Sequence, residues 1–193
     1  MDNSLLKAAQ NLVFRDDNAR GFLVGGEQEL PTARGPVTTM TDIRPVELPR
    51  DLHEVRSLFR EYAESLSVDL SFQDFEAELA ALPGKYKPPK GRLLIAWSGT
   101  EAVGCVALRP LKGAACEMKR LYVRPQARGE QLGRRLAERI CQEARSAGYS
   151  RICLDTLPTM IAAIQMFTAM GIKPIEPYVF NPVPGAIFLG LEL

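Results

Sequence analysis

The sequence predicts an α/β fold in which helices cover both faces of one mixed, mostly antiparallel sheet. Strand and helix patterns alternate in the order strand, two helices, three strands, helix, strand, helix and two strands. Two apolar segments flank a Ser-Gly-Thr turn at 98–100, which is typical of an antiparallel hairpin. The chain has 193 residues and 46% of them are hydrophobic, which is enough for one well-formed core.

The predicted strands are short and end at turn residues. They cover 42–47, 93–97, 102–111, 117–123, 151–157, 173–178 and 186–193. A first helix follows Asp51, which with Glu54 resembles a capping box. Ser71 is the predicted cap of a second helix, which Pro83-Gly84 ends. A short helix at 159–170 is apolar almost all round, so we expect it to be covered on more than one side.

Residues 1–39 do not share these patterns, and we interpret them as an N-terminal extension to a domain at 40–193. The formal net charge is +1, so composition predicts neither a nucleic-acid nor a membrane partner. No apolar run is long enough to cross a bilayer, and the N-terminus lacks the features of a signal peptide. We therefore expect a cytoplasmic protein.

The cysteines and the single histidine do not form a metal-binding pattern. None of Cys105, Cys116, Cys141 and Cys153 belongs to a C-x-x-C pair, and His53 stands alone. Each cysteine lies in an apolar stretch, which predicts small buried side chains in a reducing compartment. We predict no metal site.

The most informative stretch runs from 117 to 148 and reads as strand, glycine-bearing turn and helix. The helix carries an apolar face made by Leu132, Leu136, Ile140, Cys141 and Ala144. Arg128, Arg134 and Arg135 crowd its N-terminus, where the helix dipole disfavours positive charge and only Glu130 offsets it. Free backbone N–H groups, glycines and extra cations together indicate an anion site, with a tight turn bearing solvated arginines as the alternative.

Two familiar phosphate loops do not fit the turn. Gly129 and Gly133 are four residues apart and are followed by two arginines, whereas the ATP loop needs a five-residue spacing and a following Lys-Ser or Lys-Thr. The G-x-G-x-x-G spacing of the dinucleotide fingerprint is also absent.

The turn resembles the acyl-CoA loop, R/Q-x-x-G-x-G/A, of the GNAT superfamily of acetyl-CoA-dependent N-acetyltransferases. The segment LYVRP before it resembles that family's fourth strand, and the similarity extends over about residues 41–193. The resemblance implies a GNAT-like α-β-α sandwich whose fourth and fifth strands splay apart. Gln131 departs from the pattern, because it stands where the first glycine of the motif is usual.

The resemblance also implies a set of cofactor-binding residues for acetyl-CoA as co-substrate. The pantetheine arm would pair with the backbone of the fourth strand, and the loop would hold the pyrophosphate. In this chain those positions are Leu121, Tyr122, Val123, Arg128, Gly129, Glu130, Gln131, Leu132, Gly133 and Arg134.

Acetyl transfer needs a group that takes the proton of the amine, because an ammonium with a pKa of about 10.4 is not a nucleophile. Glu117 stands where histone-acetylating family members carry their glutamate base; its structural alternatives are a solvated strand carboxylate and a partner for Lys119 or Arg120. Phe167 occupies the position of the tyrosine that serves as the general acid in many family members, and it cannot donate a proton. This leaves three alternatives. Tyr178 or Tyr122 serves as the general acid, the thiolate leaves without a proton from the protein, or the enzyme is slow or inactive.

The sequence therefore predicts transfer of an acetyl group to an amine of a small molecule or peptide, by direct transfer in a ternary complex. The alternatives are a catalytically weak acyl-CoA-binding or regulatory module and an interaction domain that binds no nucleotide. Family members enclose the acceptor between the first two helices and the last hairpin. Here those segments carry Arg60, Glu61, Tyr62, Tyr178 and Asn181. A homodimer through the apolar helix at 159–170 is a further expectation, with a buried core helix as the alternative.

Overall fold

A computed structural model describes residues 41–66, 68–70 and 73–193 of the chain. The predicted N-terminal extension, and Ser71 as a helix cap, lie outside these residues. The elements are β1 Asp42–Pro45, α1 Leu52–Ser65, α2 Phe75–Ala81, β2 Arg92–Ser98, β3 Glu101–Pro110, β4 Ala115–Val123, α3 Leu132–Ser146, β5 Arg151–Thr156, α4 Ile161–Ala169, β6 Lys173–Pro174 and β7 Ile187–Glu192.

The strands form one seven-stranded sheet in the order β1-β2-β3-β4-β5-β7-β6. Every neighbouring pair is antiparallel except β4 and β5, which run parallel. Helices lie on both faces, so the predicted α/β sandwich is confirmed.

Each face of the sheet carries its own apolar core. The predicted apolar face of α3 is buried on one side, together with Leu154 of β5 and Phe167 of α4. On the other side, Val55, Leu58 and Phe59 of α1 pack with α2. Side chains of a strand alternate between faces, so β4 contributes to both cores and lies at the centre of the molecule.

A β-bulge interrupts the pairing of β3 with β4. Ala107 pairs with Lys119 and Cys105 pairs with Tyr122, so β4 has one extra residue between these pairs. Arg120 lies in the bulge with a φ of 57°, a left-handed conformation that is unusual for a residue other than glycine. Bulges bend a strand and change the direction of its side chains.

The Arg120 guanidinium is buried and fully partnered. It makes two hydrogen bonds with Glu78 of α2, at 2.9 and 2.8 Å, and lies over the rings of Tyr62 and Phe75. Burial alone raises the pKa of Glu78, but Arg120 outweighs burial and leaves that pKa below its usual value. This pair therefore connects α2 to the bulge.

Two helix predictions were wrong in their details. Asp51 precedes α1 but does not cap it, because its carboxylate instead accepts hydrogen bonds from Arg44, Arg50 and the N–H of Glu47. The second helix begins at Phe75, several residues later than predicted.

The predicted cover on α4 was also wrong. Phe167 is its one buried residue, and Ile161 is 63% exposed. The apolar residues at the start of α4 line an open cleft beside β4, which explains their composition without a second covering layer.

The last two strands are shorter than predicted. β6 stops at Pro174 rather than at residue 178, although the N–H of Ile175 still bonds to the carbonyl of Phe188 at 2.9 Å. Pro177 lacks an N–H and cannot continue the ladder.

We expect Glu78→Gln to lower the free energy of unfolding by about 3–5 kcal/mol at pH 7, because it leaves a buried guanidinium without its counter-charge. The folded-state pKa of Glu78 is depressed, so its contribution is complete above the unfolded value of about 4.3 and is lost as the pH falls through the folded value. Chemical denaturation at pH 7 and at pH 3 measures both effects.

The matched control is Glu138→Gln, which removes the partner of Arg134 in an exposed pair on α3. We expect a loss below about 0.5 kcal/mol there. Equal losses in the two variants would show that the Arg120–Glu78 pair does not stabilise the fold.

Candidate active site

The two parallel strands at the centre of the sheet pair over three residues and then separate. Ala115–Glu117 of β4 pairs with Arg151–Cys153 of β5, and no later residue of either strand pairs with the other. β4 continues to Val123 and β5 to Thr156, so a fork opens after Glu117. This confirms the predicted splay of the fourth and fifth strands.

A cleft of about 580 Å³ lies beyond the fork. One wall is the end of β4 with Arg128 from the following turn. The other walls are formed by Tyr62 and Leu66, in and just after α1, and by Ile161 at the start of α4. A smaller cavity of about 50 Å³ lies deeper between the strands and is lined by Thr156 and Phe167, among others. Tyr62 borders both cavities.

The hydrogen bonds of β4 show which of its backbone groups face the cleft. Arg124 donates its N–H to the carbonyl of Val103 at 2.9 Å, and Tyr122 pairs with Cys105 two residues earlier. Alternate residues of a strand bond to the same neighbour, so the backbone of Tyr122 faces β3. The backbone groups of Leu121 and Val123 therefore face the open edge, and Tyr122 contributes only its side chain to the cleft. This corrects the prediction that the backbone of Tyr122 serves a ligand.

The turn between β4 and α3 has backbone geometry that suits glycine. Gly129 has a φ of 98°, and Gln131, immediately before α3, has a φ of 55°. The left-handed Gln131 explains why glycine is usual at this position, because glycine adopts positive φ without steric cost. The side chain of Leu132 is buried and anchors the start of the helix.

The N-terminus of α3 is open to a ligand. No side chain caps it, and its first turn contains no acidic residue, since Glu130 lies exposed before the helix. A Cβ atom added to Gly133 would come no closer than 3.7 Å to any neighbour, so packing does not require glycine there. Free N–H groups with room in front of them fit a pyrophosphate.

The three arginines of the turn all have protein partners. Arg128 donates to the carbonyl of Val123 at 3.0 Å, and Arg135 donates to the carbonyl of Thr41 at 2.7 Å. Arg134 pairs with Glu138 at 2.8 Å. These are exposed contacts of small energy, so an anionic ligand can compete for the same cations.

Glu117 lies at the point where the strands separate, and its side chain is completely buried. Its Oε2 accepts a hydrogen bond from Arg109 Nε at 2.5 Å, and its Oε1 accepts one from the Tyr178 hydroxyl at 3.0 Å. Lys119 Nζ lies 3.8 Å from the same Oε1 atom. Each carboxylate oxygen has two acceptor sites, so both retain one for a further proton or water.

A second carboxylate, Asp155 of β5, lies close to Glu117 on the same face. Lys119 donates to it at 3.2 Å, and Asn181 donates to it at 2.8 Å. Burial alone raises the pKa of Asp155, but Lys119 and Asn181 outweigh burial and leave that pKa below its usual value. Sequence reasoning missed Asp155; its signal was a lone acidic residue directly after the apolar run at 152–154 of β5.

Tyr178 is held neutral in this network. Burial, followed by the charges of Glu117 and Asp155, raises the pKa of Tyr178 well above its usual range. Its proton is directed at Glu117, because the hydroxyl donates to that carboxylate.

The residues predicted to surround the acceptor do not all meet. Tyr62 borders the cleft, and Asn181 and Tyr178 join the carboxylates across the fork. Glu61 instead forms a two-point pair with Arg124, and the exposed Arg60 lines a different cavity, between α1 and α2.

The described ranges contain neither a candidate metal site nor a candidate membrane-spanning helix. Those ranges contain no group of three or more His, Cys, Asp or Glu side chains arranged to hold a metal ion. None of their helices combines the length and the apolar character needed to cross a membrane.

The chain resembles known acetyltransferases in sequence and in structure. An uncharacterised N-acetyltransferase of Schizosaccharomyces pombe is 44% identical over 154 residues, which cover 78% of this chain and 94% of that protein. An acetyltransferase of Streptococcus agalactiae superposes with a TM-score of 0.65 and 25% identity, over 79% of this chain and 98% of that one. An acetyltransferase of Salmonella typhimurium, solved with its cofactor acetyl-CoA, superposes with a TM-score of 0.57 and 19% identity, over 79% and 93% of the two chains.

A family model adds the most direct assignment. The model of the acetyltransferase (GNAT) family matches residues 52–172, which include α1, the fork, the turn and α4. The chain therefore belongs to the GNAT family and is an N-acetyltransferase that uses acetyl-CoA.

Proposed function

We propose that the protein transfers the acetyl group of acetyl-CoA directly to an amine of a small molecule or peptide, with both substrates bound together. The observation that carries this proposal is the buried Glu117 carboxylate at the fork, where the next residue, Met118, lines the smaller cavity between the strands. A base at this point can act on an amine that approaches from the α1 and α2 face while the thioester lies between the strands.

The cysteines support direct transfer over a covalent acyl-enzyme. Cys153 pairs with Glu117 at the last position before the strands separate. Burial raises its pKa, so it stays protonated and is a weak nucleophile. The four buried, free cysteines also agree with a reducing compartment, and we propose a cytoplasmic location on this ground.

In the proposed reaction the amine nitrogen attacks the thioester carbon. The new C–N bond forms, the C–S bond breaks, and one proton of the nitrogen passes to Glu117, directly or through one water. The backbone N–H groups of Leu121 and Val123 on the open edge of β4 are suited to stabilise the oxyanion. The products are the acetamide and the coenzyme A thiol, which receives the proton that balances the reaction.

Tyr178 is better suited to orient Glu117 than to protonate the thiolate. Its raised pKa makes it a poor acid, and its hydroxyl is engaged with the carboxylate. Phe167 is buried in the wall of the deeper cavity and offers no hydroxyl. We therefore propose that the thiolate leaves without a proton from either residue. The lack of a hydroxyl at Phe167 also favours a second candidate function, a catalytically weak acyl-CoA-binding module.

Glu117→Gln tests the proposed base. We expect kcat to fall by about 10²–10⁴-fold, the usual contribution of a general base. Acetyl-CoA affinity should stay unchanged, because Glu117 lies outside the loop and the cleft that hold the cofactor. The single oxygen of glutamine can still accept the hydrogen bond from Arg109, and its NH2 group can donate to the Tyr178 hydroxyl. Release of free thiol with a panel of amines measures kcat, and titration calorimetry measures affinity.

Tyr178→Phe is the matched variant in the same network. We expect a smaller loss of kcat, of about tenfold, because the base remains but is less well oriented. If Glu117→Gln turns over as fast as the wild type, Glu117 is not the base. Saturable acetyl-CoA binding without turnover of any amine would favour the second candidate function.

Gln131→Gly tests the loop. We expect it to remove left-handed strain and to raise acetyl-CoA affinity, because a glycine lets the pyrophosphate approach the backbone more closely. Gly129→Gln is the control: it adds a side chain at a φ of 98° and should lower stability by about 1–3 kcal/mol. Lower affinity in Gln131→Gly, in a variant that unfolds at the wild-type temperature or above, would contradict this view of the turn.

A further inference from the structure

A cavity of about 250 Å³ lies on the α2 side of the sheet, separate from the cleft between the strands. Its walls come from Gln73 and Asp74 before α2, from Glu78 on α2, from the turn Gly84–Tyr86, and from Arg109 on β3. Small-molecule pockets measure about 300–1,000 Å³, so this cavity lies just below that range and suits a small ligand. It adjoins the fork, because Arg109 also bonds to Glu117.

Arg109 presents unused hydrogen-bond donors. Its Nε donates to Glu117, but neither of its Nη atoms makes a hydrogen bond to any of the described residues. The side chain is 22% exposed and lines the cavity. A planar guanidinium binds a carboxylate through two parallel hydrogen bonds, so the free edge of Arg109 is suited to an anionic ligand.

The other charges around the cavity leave this preference intact. Glu78 is already paired, since its oxygens accept hydrogen bonds from Arg120 and from the Tyr86 hydroxyl. Lys85 and Asp74 are exposed residues of opposite charge that also border the cavity. Arg109 is therefore the cation of the cavity wall that both retains free donors and contacts Glu117.

Gln73 supplies a complementary acceptor. Its Oε1 atom is buried and has no hydrogen-bond partner among the residues that the structure describes. An unpaired buried acceptor is unfavourable, so this atom favours a ligand that brings an N–H or O–H group. The cavity thus combines a carboxylate-binding guanidinium, that of Arg109, with the Gln73 oxygen, which accepts a hydrogen bond from a donor group of the ligand.

We propose that the acceptor substrate is an amino acid or a closely similar amine that carries a carboxylate, bound with the carboxylate on Arg109 and the amine toward Glu117. This inference rests on the proposed function, because it names the substrate class of the same site. Arg109 and Glu117 are in direct contact. A ligand whose carboxylate binds Arg109 therefore holds its neighbouring amine within reach of Glu117. Direct transfer then forms the C–N bond and breaks the C–S bond, and the amine proton passes to Glu117.

The test compares each of the twenty amino acids with its amide and, where available, its decarboxylated amine. Free-thiol release is measured with acetyl-CoA at saturation. We expect at least one amino acid to have a kcat/KM at least about tenfold above that of its carboxylate-free counterparts. Equal turnover of the members of every set would overturn this inference while leaving the proposed function intact.

Arg109→Lys tests the role of the guanidinium, because lysine keeps a charge beside Glu117 but cannot bind a carboxylate at two points. We expect the preference for the amino acid over its amide to fall about tenfold, and this ratio cancels any common effect on Glu117. The control is Lys87→Ala, an exposed residue next to the turn that does not line the cavity. An unchanged ratio in Arg109→Lys would overturn the proposal.

A binding measurement keeps the inference testable if no amine turns over. Calorimetric titration of the same amino acids into the protein saturated with coenzyme A should show binding in the wild type, and binding weaker by about tenfold in Arg109→Lys. Absence of binding for the whole panel, with coenzyme A still bound, would overturn the substrate class. Loss of coenzyme A binding itself would instead overturn the proposed function.

Discussion

The separation of β4 from β5 after Glu117 is the constraint on which the rest of the site depends. Parallel strands normally stay paired along their length, because unpaired backbone groups in a sheet interior are costly. Here pairing stops after three residues, and the backbone of Leu121 and Val123 is left at an open edge. Arg128 satisfies the carbonyl of Val123, which suggests what the edge requires: a hydrogen-bonding partner between the strands.

The bulge at Arg120 helps to hold β4 in this arrangement. A left-handed arginine in a strand is strained, and such strain persists only where the surroundings fix it. The two hydrogen bonds to Glu78 and the rings of Tyr62 and Phe75 provide that support. Helices α1 and α2 therefore do more than cover the sheet: they fix the conformation of the strand that borders the cleft.

Among the described residues, three largely buried ion pairs lie on the α1 and α2 face of the sheet: Arg109–Glu117, Lys119–Asp155 and Arg120–Glu78. Buried pairs contribute little net stability compared with apolar residues of similar size, so a cluster of them indicates function more than folding. Their charges cancel, which lets the network remain buried while it presents a carboxylate at the fork and a guanidinium at the neighbouring cavity. Asn181 extends the network to the loop before β7, since its Oδ1 accepts the N–H of Val183.

The sequence predicted the fold and the turn before α3 well, because both depend on local patterns. The apolar face of α3, the hairpin of β2 and β3, and the glycine-bearing turn are each visible within a few residues. Partners distant in the chain were not predictable in this way. Arg109 and Glu117 face each other across a hairpin, whereas Tyr178 reaches Glu117 from 61 residues away. The prediction for Asp51 was wrong because its carboxylate accepts a hydrogen bond from Arg44, a residue outside the helix, instead of capping α1.

Amide hydrogen exchange at β4, followed with and without acetyl-CoA, tests the fork most directly. The account predicts that the N–H groups of Leu121 and Val123 become protected when acetyl-CoA binds, because the pantetheine arm then occupies the open edge. The N–H of Tyr122 should not change, since it is already bonded to β3. Protection confined to other parts of the chain, at saturating acetyl-CoA, would show that the cofactor does not lie between β4 and β5.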